Sequence, residues 1–216
     1  MNLEEIIKRF VPQSIIDYRT KKRHRKQYIE WEKAGKPVPP PHLVKQLIIK
    51  EFQNKHHSEI LVETGTYKGD MVRAQSETFP QIFTIELSDY LYRRAKKRFR
   101  HESHITVLQG DSGEVLHSLL PQLDKPTLFW LDGHYSGGIT AKGKKECPIF
   151  EELDAIYQSE KPHVLLIDDA RLFEAQELDY PSLTELFNYI SSRRNDAKIE
   201  IKDDVIIVEY ASESEQ

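Results

Sequence analysis

The sequence predicts an open, doubly wound α/β sheet of seven mostly parallel strands, closed by a C-terminal antiparallel hairpin and preceded by a helical arm. Three observations predict it. Short apolar runs alternate with helical patterns from about residue 60 to 194, the βαβ repetition of a parallel sheet. Those runs are apolar throughout, as expected of strands covered on both faces. The last two strand-like runs are separated by two residues only, and so short a link joins antiparallel strands alone.

The elements follow in order. Leu3, Ile6, Ile7 and Phe10 recur at helical spacing, and Pro12 ends that segment. A second helix is expected over Ser14–Lys33, with the basic run Arg19-Thr20-Lys21-Lys22-Arg23-His24-Arg25-Lys26 on it. Gly35 stops it, and Pro37, Pro39, Pro40 and Pro41 form a stiff linker. The division is therefore placed at residues 1–41 for arm and linker, 42–210 for the main domain and 211–216 for a polar, disordered tail. A third helix is expected to bury Leu43, Leu47, Ile48 and Phe52. The parallel strands read Ile60–Val62, Ile82–Ile85, Ile105–Leu108, Leu128–Leu131 and Val164–Ile167. Helices are expected between them at about 70–78, 89–101, 112–121 and 147–159, with a further one at 182–194. Lys198–Lys202 and Val205–Val208 flank the turn Asp203-Asp204.

Composition narrows the function classes. With 38% hydrophobic and 31% charged residues, the 216-residue chain is globular and can build one core. A net charge of −4 gives no overall basic excess, so no nucleic-acid partner is expected. The basic run on the second helix reads as a solvated face of an arm that packs on its own core or on a second copy. The single cysteine, Cys147, cannot form an internal disulfide and reads as structural. There is no basic-then-apolar leader at Met1 and no apolar run of the ~20 residues a bilayer span needs. A cytoplasmic location is the expectation.

Ligands of open α/β sheets bind beyond the carboxyl ends of the strands. Here Glu63, Glu86, Asp111 and Asp132 follow the first four strands, and the pair Asp168-Asp169 follows the fifth. The first turn, Glu63-Thr64-Gly65-Thr66-Tyr67-Lys68-Gly69, has glycines for a tight turn and for close helix packing. Tyr67 stands where a dinucleotide fingerprint needs its second glycine, and Gly-Lys-Ser/Thr is missing, so neither NAD nor a P-loop nucleotide fits. Glu63 would repel a pyrophosphate but favour an ammonium group. Glu86 lies about 20 residues past the turn, where an acid accepts both hydroxyls of a ribose. Asp111, in Gly110-Asp111-Ser112, reads as an acceptor from an adenine amine, as a helix N-cap, or as both. The ligand so described has an amine, a ribose and an adenine but no phosphate, as S-adenosylmethionine (SAM) has. Thr66, Tyr67, Leu87, Gly110, Ser112 and Asp132 complete the expected cofactor contacts.

Asp132, Asp168 and Asp169 converge from neighbouring strand ends. Three crowded carboxylates repel one another unless a cation intervenes, and oxygen ligands suit Mg²⁺. Against a metal stands Arg171, which can neutralise the Asp168-Asp169 pair.

These residues carry a family resemblance over residues 42–210. Glu63-Thr64-Gly65-Thr66-Tyr67-Lys68-Gly69 resembles the first motif of the metal-dependent catechol O-methyltransferases, and Glu86 falls at their ribose-binding acid. Leu131-Asp132-Gly133-His134 and Ile167-Asp168-Asp169 resemble their fourth- and fifth-strand segments; the macrolide-sugar O-methyltransferases are similar in the same places. The resemblance implies a Rossmann-like class I methyltransferase fold, SAM as methyl donor, a divalent metal on Asp132, Asp168 and Asp169, and O-methylation of a small hydroxylated metabolite or sugar. The family's lysine three residues past the fourth-strand aspartate is Tyr135 here, so His134 becomes the candidate base, with Asp132 beside it. Residues 135–146 read as a substrate loop. The alternatives are N-methylation or related tailoring without metal, and a non-catalytic partner protein that keeps the cofactor pocket.

Overall fold

The structure, a computed structural model, describes residues 12–133, 147–175 and 179–210. The helical segment read at Leu3–Phe10, the candidate base His134, the loop 135–146 and the tail lie outside them. The described elements are α1 (Gln13–Lys33), α2 (His42–His56), β1 (Ile60–Thr64), α3 (Asp70–Gln75), β2 (Gln81–Glu86), α4 (Asp89–Arg98) and β3 (Ile105–Gln109). They continue as α5 (Ser112–Leu119), a short 3₁₀ turn (Leu120–Gln122), β4 (Thr127–Leu131), α6 (Ile149–Ile156), β5 (Val164–Ile167), α7 (Ala170–Ala175), α8 (Leu183–Arg193), β6 (Ala197–Lys202) and β7 (Val205–Tyr210).

The seven strands form one sheet in the order β3-β2-β1-β4-β5-β7-β6. The first five are parallel. β7 runs antiparallel to both β5 and β6. The order reverses at β1, between β2 and β4, which opens a crevice at the ends of those strands. Successive residues of β1 serve different cores: Ile60 and Val62 join one apolar cluster and Leu61 the other. That is the two-residue period of a strand with both faces covered. β1, β4 and β5 are buried throughout. β3 differs from expectation: exposed Thr106 alternates with buried Ile105 and Val107, because β3 is an edge strand. In the closing hairpin both turn residues, Asp203 (φ 48°) and Asp204 (φ 66°), have the positive φ of a type I′ turn.

Two further expectations change. α2 buries Val44, Ile48, Ile49 and Phe52, while Leu47 is 48% exposed. The i, i+4, i+5, i+8 set of the first four makes a continuous stripe, so the helix is rotated about its axis from the expected face. Ala170–Ala175, to which the sequence reading assigns no element, form α7; six residues are too few to show a helical period. Most of the basic run on α1 is solvated, but His24 is buried. Trp31 of α1 joins a core cluster, and its indole Nε1 donates to the Pro37 carbonyl at 2.7 Å. Asp17 pairs with Arg73 (3.2 Å) and Arg98 (3.5 Å). Among the described residues no helix is long and apolar enough to cross a membrane.

Two histidines should set the acid limit of stability. Burial lowers His163 to about 4, with Lys161 and Arg194 adding to the effect. Burial likewise lowers His42 to about 4, helped by His24. Both are neutral in the fold, whereas an unfolded chain protonates them near 6.5. The unfolded state therefore binds more protons between those values, and stability falls as pH drops from about 6.5 to 4, by up to ~1.4 kcal/mol per pH unit for each group. Urea midpoints at pH 7 and pH 5 should show this loss, and His163→Gln should flatten it. An unchanged slope in that variant would mean His163 takes no part.

Candidate active site

The turn after β1 is built around Gly65. Its φ is +83°, and a Cβ there would lie 2.2 Å from the Asp132 carbonyl oxygen. The chain thus crosses from β1 over the end of β4 with no room for a side chain. Gly65 and Thr66 both donate their N–H to the Ile85 carbonyl (2.9 and 3.2 Å), which fixes the turn against β2. Gly69, the N-cap of α3, has φ +73°, and a Cβ on it would meet Phe99 at 2.7 Å. It serves packing, as its position in the motif suggests.

Three acids bear on this turn. Glu63 is almost fully buried and accepts from the Thr84 hydroxyl, which lies 2.5 Å from the Thr66 hydroxyl. Burial pushes Glu63 well above the ordinary carboxylate range, Thr84 opposes that, and Asp132 and Glu86 push the same way as burial. A ligand cation would be welcomed by such a group. Glu86, also buried, is held from both sides: Tyr67 N–H donates to Oε2 and Ser88 N–H to Oε1, each at 2.8 Å. Burial raises its pKa and the backbone donors work against that. A carboxylate oxygen has room for a further donor beyond each of these bonds, so the fixed carboxylate can still accept two hydroxyls. Tyr67 itself sits at φ 49° and is 43% exposed.

Gly110 N–H donates to the Glu86 carbonyl at 3.1 Å, which brings the third strand end to the second. Asp111 is the N-cap of α5 and accepts from Gly113 N–H at 3.1 Å, so the capping role is present. Ser112 donates to the buried Glu152 at 2.5 Å. At Gly133 a Cβ would meet Glu152 Oε1 at 2.7 Å and Thr64 Oγ1 at 3.0 Å. The ends of β1 to β4 are therefore one contiguous set of groups. Glu152 was not singled out from the sequence, because a glutamate in the first turn of an amphipathic helix reads as surface. Buried Cys147 precedes α6, and its thiol is pushed up to about 12, chiefly by burial, which disfavours the thiolate.

Beyond the turn lies a cavity of about 800 Å³. Glu63, Gly65, Thr66, Tyr67 and Asp132 bound it on the sheet side, and Arg23, His24, Gln27 and Trp31 of α1 bound it opposite. Glu86, Leu87, Gly110, Asp111 and Ser112 lie outside its lining. His24 and His42 stack there at 4.7 Å, with Gln46 Nε2 at 2.6 Å from His42 Nδ1.

Asp132, Asp168 and Asp169 do converge, with one oxygen from each lying within 4.8 Å of the others. The surroundings differ from expectation. Lys45 of α2 places its Nζ 2.6 Å from Asp168 Oδ2 and 2.9 Å from Asp169 Oδ1. Arg171 Nη1 reaches Asp169 Oδ1 at 2.7 Å and also Asp204 in the hairpin turn. Asp168 Oδ1 accepts from Asp169 N–H at 2.8 Å. Burial works against the charge of Lys45, but Asp168 and then Asp169 and Asp132 outweigh it and lift its pKa above the ordinary lysine value. A divalent ion needs carboxylate oxygens as direct ligands at about 2.0–2.1 Å. Here each oxygen of Asp168 accepts one hydrogen bond, and the Lys45 ammonium bridges Asp168 and Asp169 at the place where such an ion would bind. Lys45 was missed because it lies far from the acids in sequence, on a helix whose buried face was misplaced.

No family model matches this chain, and no curated protein matches it. Solved structures do. The O-methyltransferase TomG from Streptomyces achromogenes, involved in tomaymycin synthesis and bound to SAM, is 16% identical at a TM-score of 0.55, with 87% of this chain and 88% of that chain covered. An O-methyltransferase from Bacillus cereus in complex with SAH is 13% identical at 0.55, covering 87% and 90%. A putative O-methyltransferase from Klebsiella pneumoniae is 13% identical at 0.57, covering 97% and 95%. At this identity the likeness speaks to architecture: the chain has the Rossmann-like fold of the class I O-methyltransferases.

Proposed function

We propose that this protein is a SAM-dependent methyltransferase that methylates an oxygen of a small hydroxylated metabolite or sugar. The observation that carries the reading is the buried Glu86 carboxylate, aimed by two backbone N–H groups beside a turn where a Cβ has no space. That combination suits a ribose next to a close backbone approach and an unphosphorylated ligand. Bound SAM would supply an electrophilic methyl group on a sulfonium.

The chain's own residues would do the rest. Glu86 would bind the ribose hydroxyls, and Asp111 the adenine amine. Glu63, with Asp132 beyond it, would hold the amino-acid end. The α1 wall of the cavity would orient the acceptor, so that much of the acceleration comes from positioning. His134, two residues past Asp132, is the proposed proton acceptor, on sequence grounds. No step of this scheme runs through a divalent metal.

Calorimetry should show SAM or SAH binding in the micromolar range, about −8 kcal/mol, and SAH should form with some member of a panel of hydroxylated metabolites and sugars. Tight NAD binding with none of SAM would overturn the reading. Gln27→Trp tests the arm, since Gln27 is exposed on α1 and lines the cavity. It should raise the acceptor KM at least about tenfold, or ~1.4 kcal/mol, while leaving SAM affinity within about threefold. Equal losses of both would mean that the cavity takes the donor.

A further inference from the structure

We propose that Lys45 is the resident cation of the Asp132/Asp168/Asp169 cluster, taking the place of a divalent metal, so that the site works without one. The geometry is specific. Lys45 projects from α2 and bridges two carboxylates on adjacent residues, at 2.6 and 2.9 Å. Its side chain is 15% exposed and that of Asp168 only 3%, so the pair is shielded from water. In such a place an ion pair is weakly screened, and removing either partner leaves an uncompensated charge. Each oxygen of Asp168 already accepts one hydrogen bond, Oδ2 from Lys45 and Oδ1 from the Asp169 amide. Asp169 Oδ1 is shared between Lys45 and Arg171. A metal drawing on Asp168 Oδ2 and Asp169 Oδ1 would have to compete with the ammonium already hydrogen-bonded to both.

The arrangement also has a use. Lys45 keeps the two carboxylates in fixed positions beside Asp132, which borders the cavity. An ammonium has three N–H groups. Two are committed, and among the described residues the third has no partner. It is a positively charged donor at the place where a metal-dependent enzyme would present its ion to an acceptor oxygen. The methyl transfer in this inference rests on the function proposed above; the cation assignment does not.

The test is titration with Mn²⁺, followed by the electron paramagnetic resonance of the free ion, on the full-length protein. The wild type should show no specific site. Lys45→Ala should gain one Mn²⁺ site at least about tenfold tighter than any wild-type binding, and Lys45→Ala/Asp168→Asn should lose it again. Lys45→Arg should stay closed to Mn²⁺. A wild-type Mn²⁺ site that Asp168→Asn abolishes would overturn the proposal, and this arm stands even if Lys45→Ala fails to fold. In a methyl-transfer assay, EDTA should change the wild-type rate by less than about twofold, and rescue by Mg²⁺ after EDTA inactivation would also overturn it. If no acceptor is ever methylated, the proposed function falls, while the Mn²⁺ titration still decides the role of Lys45.

Discussion

Replacing Gly65 by alanine should lower the melting temperature by about 6–12 °C and abolish SAM binding. Two costs combine. At φ +83° an alanine is in the left-handed region, which disfavours a Cβ by ~1–2 kcal/mol. The added methyl would also stand 2.2 Å from the Asp132 carbonyl oxygen, and that oxygen belongs to backbone that cannot rotate away. Overpacking of this kind costs ~1–3 kcal/mol. Together they approach ~3 kcal/mol or more, and in a chain of this size each kcal/mol moves Tm by about 2–4 °C. The relief available is to separate the end of β1 from the end of β4, which moves Thr66 and Tyr67 away from Glu86. Stability and cofactor affinity should therefore fall together. Calorimetric melting and SAM titration measure both, and an alanine variant that melts within about 2 °C of the wild type and still binds SAM would show that the crossing is looser than described.

Glu86→Ala should weaken SAM binding by roughly 30- to 1000-fold, or about 2–4 kcal/mol. The carboxylate is the acceptor proposed for both ribose hydroxyls, and charge-assisted bonds of this kind are worth about 1.5–3 kcal/mol each. The substitution also strands the Tyr67 and Ser88 amides that donate to it, so the protein should melt earlier. The binding measurement belongs well below that melting point. Glu86→Gln is a useful companion: its amide nitrogen would face one of the two backbone donors, and it should lie between wild type and alanine. Unchanged SAM affinity in Glu86→Ala would remove the ribose assignment and with it the main support for the proposed function.

The strands and their acids were legible in the sequence for a local reason. A strand buried on both faces is written as a continuous apolar run, so its end, and the acid after it, can be located within a residue or two. Glu63, Glu86, Asp111 and Asp132 followed from that alone. What stayed hidden depends on long-range packing. Lys45 pairs with residues more than a hundred positions away, and only the rotation of α2 about its axis decides that it points at them. His24 sits in a run of solvated basic residues and is buried by its stacking on His42. Thr84 looks like a strand residue with ordinary β propensity, yet it anchors Glu63. The acid cluster itself was legible, but a list of acids at strand ends does not reveal a cation arriving from another helix.

The position of β7 also has consequences during synthesis. It is the last strand of the described chain, but it lies inside the sheet, between β5 and β6. While the ribosome is still making it, β5 has a bare edge, and the apolar run Val205–Val208 has not yet filled its slot. Exposed edges of this kind pair readily with other chains. A nascent polypeptide stalled before about residue 205 would be a substrate for chaperones. The same strand closes the turn whose Asp204 holds Arg171 against Asp169. Formation of the hairpin and completion of the ion pairs around Asp169 are therefore one event, and a chain cut before residue 205 should be aggregation-prone.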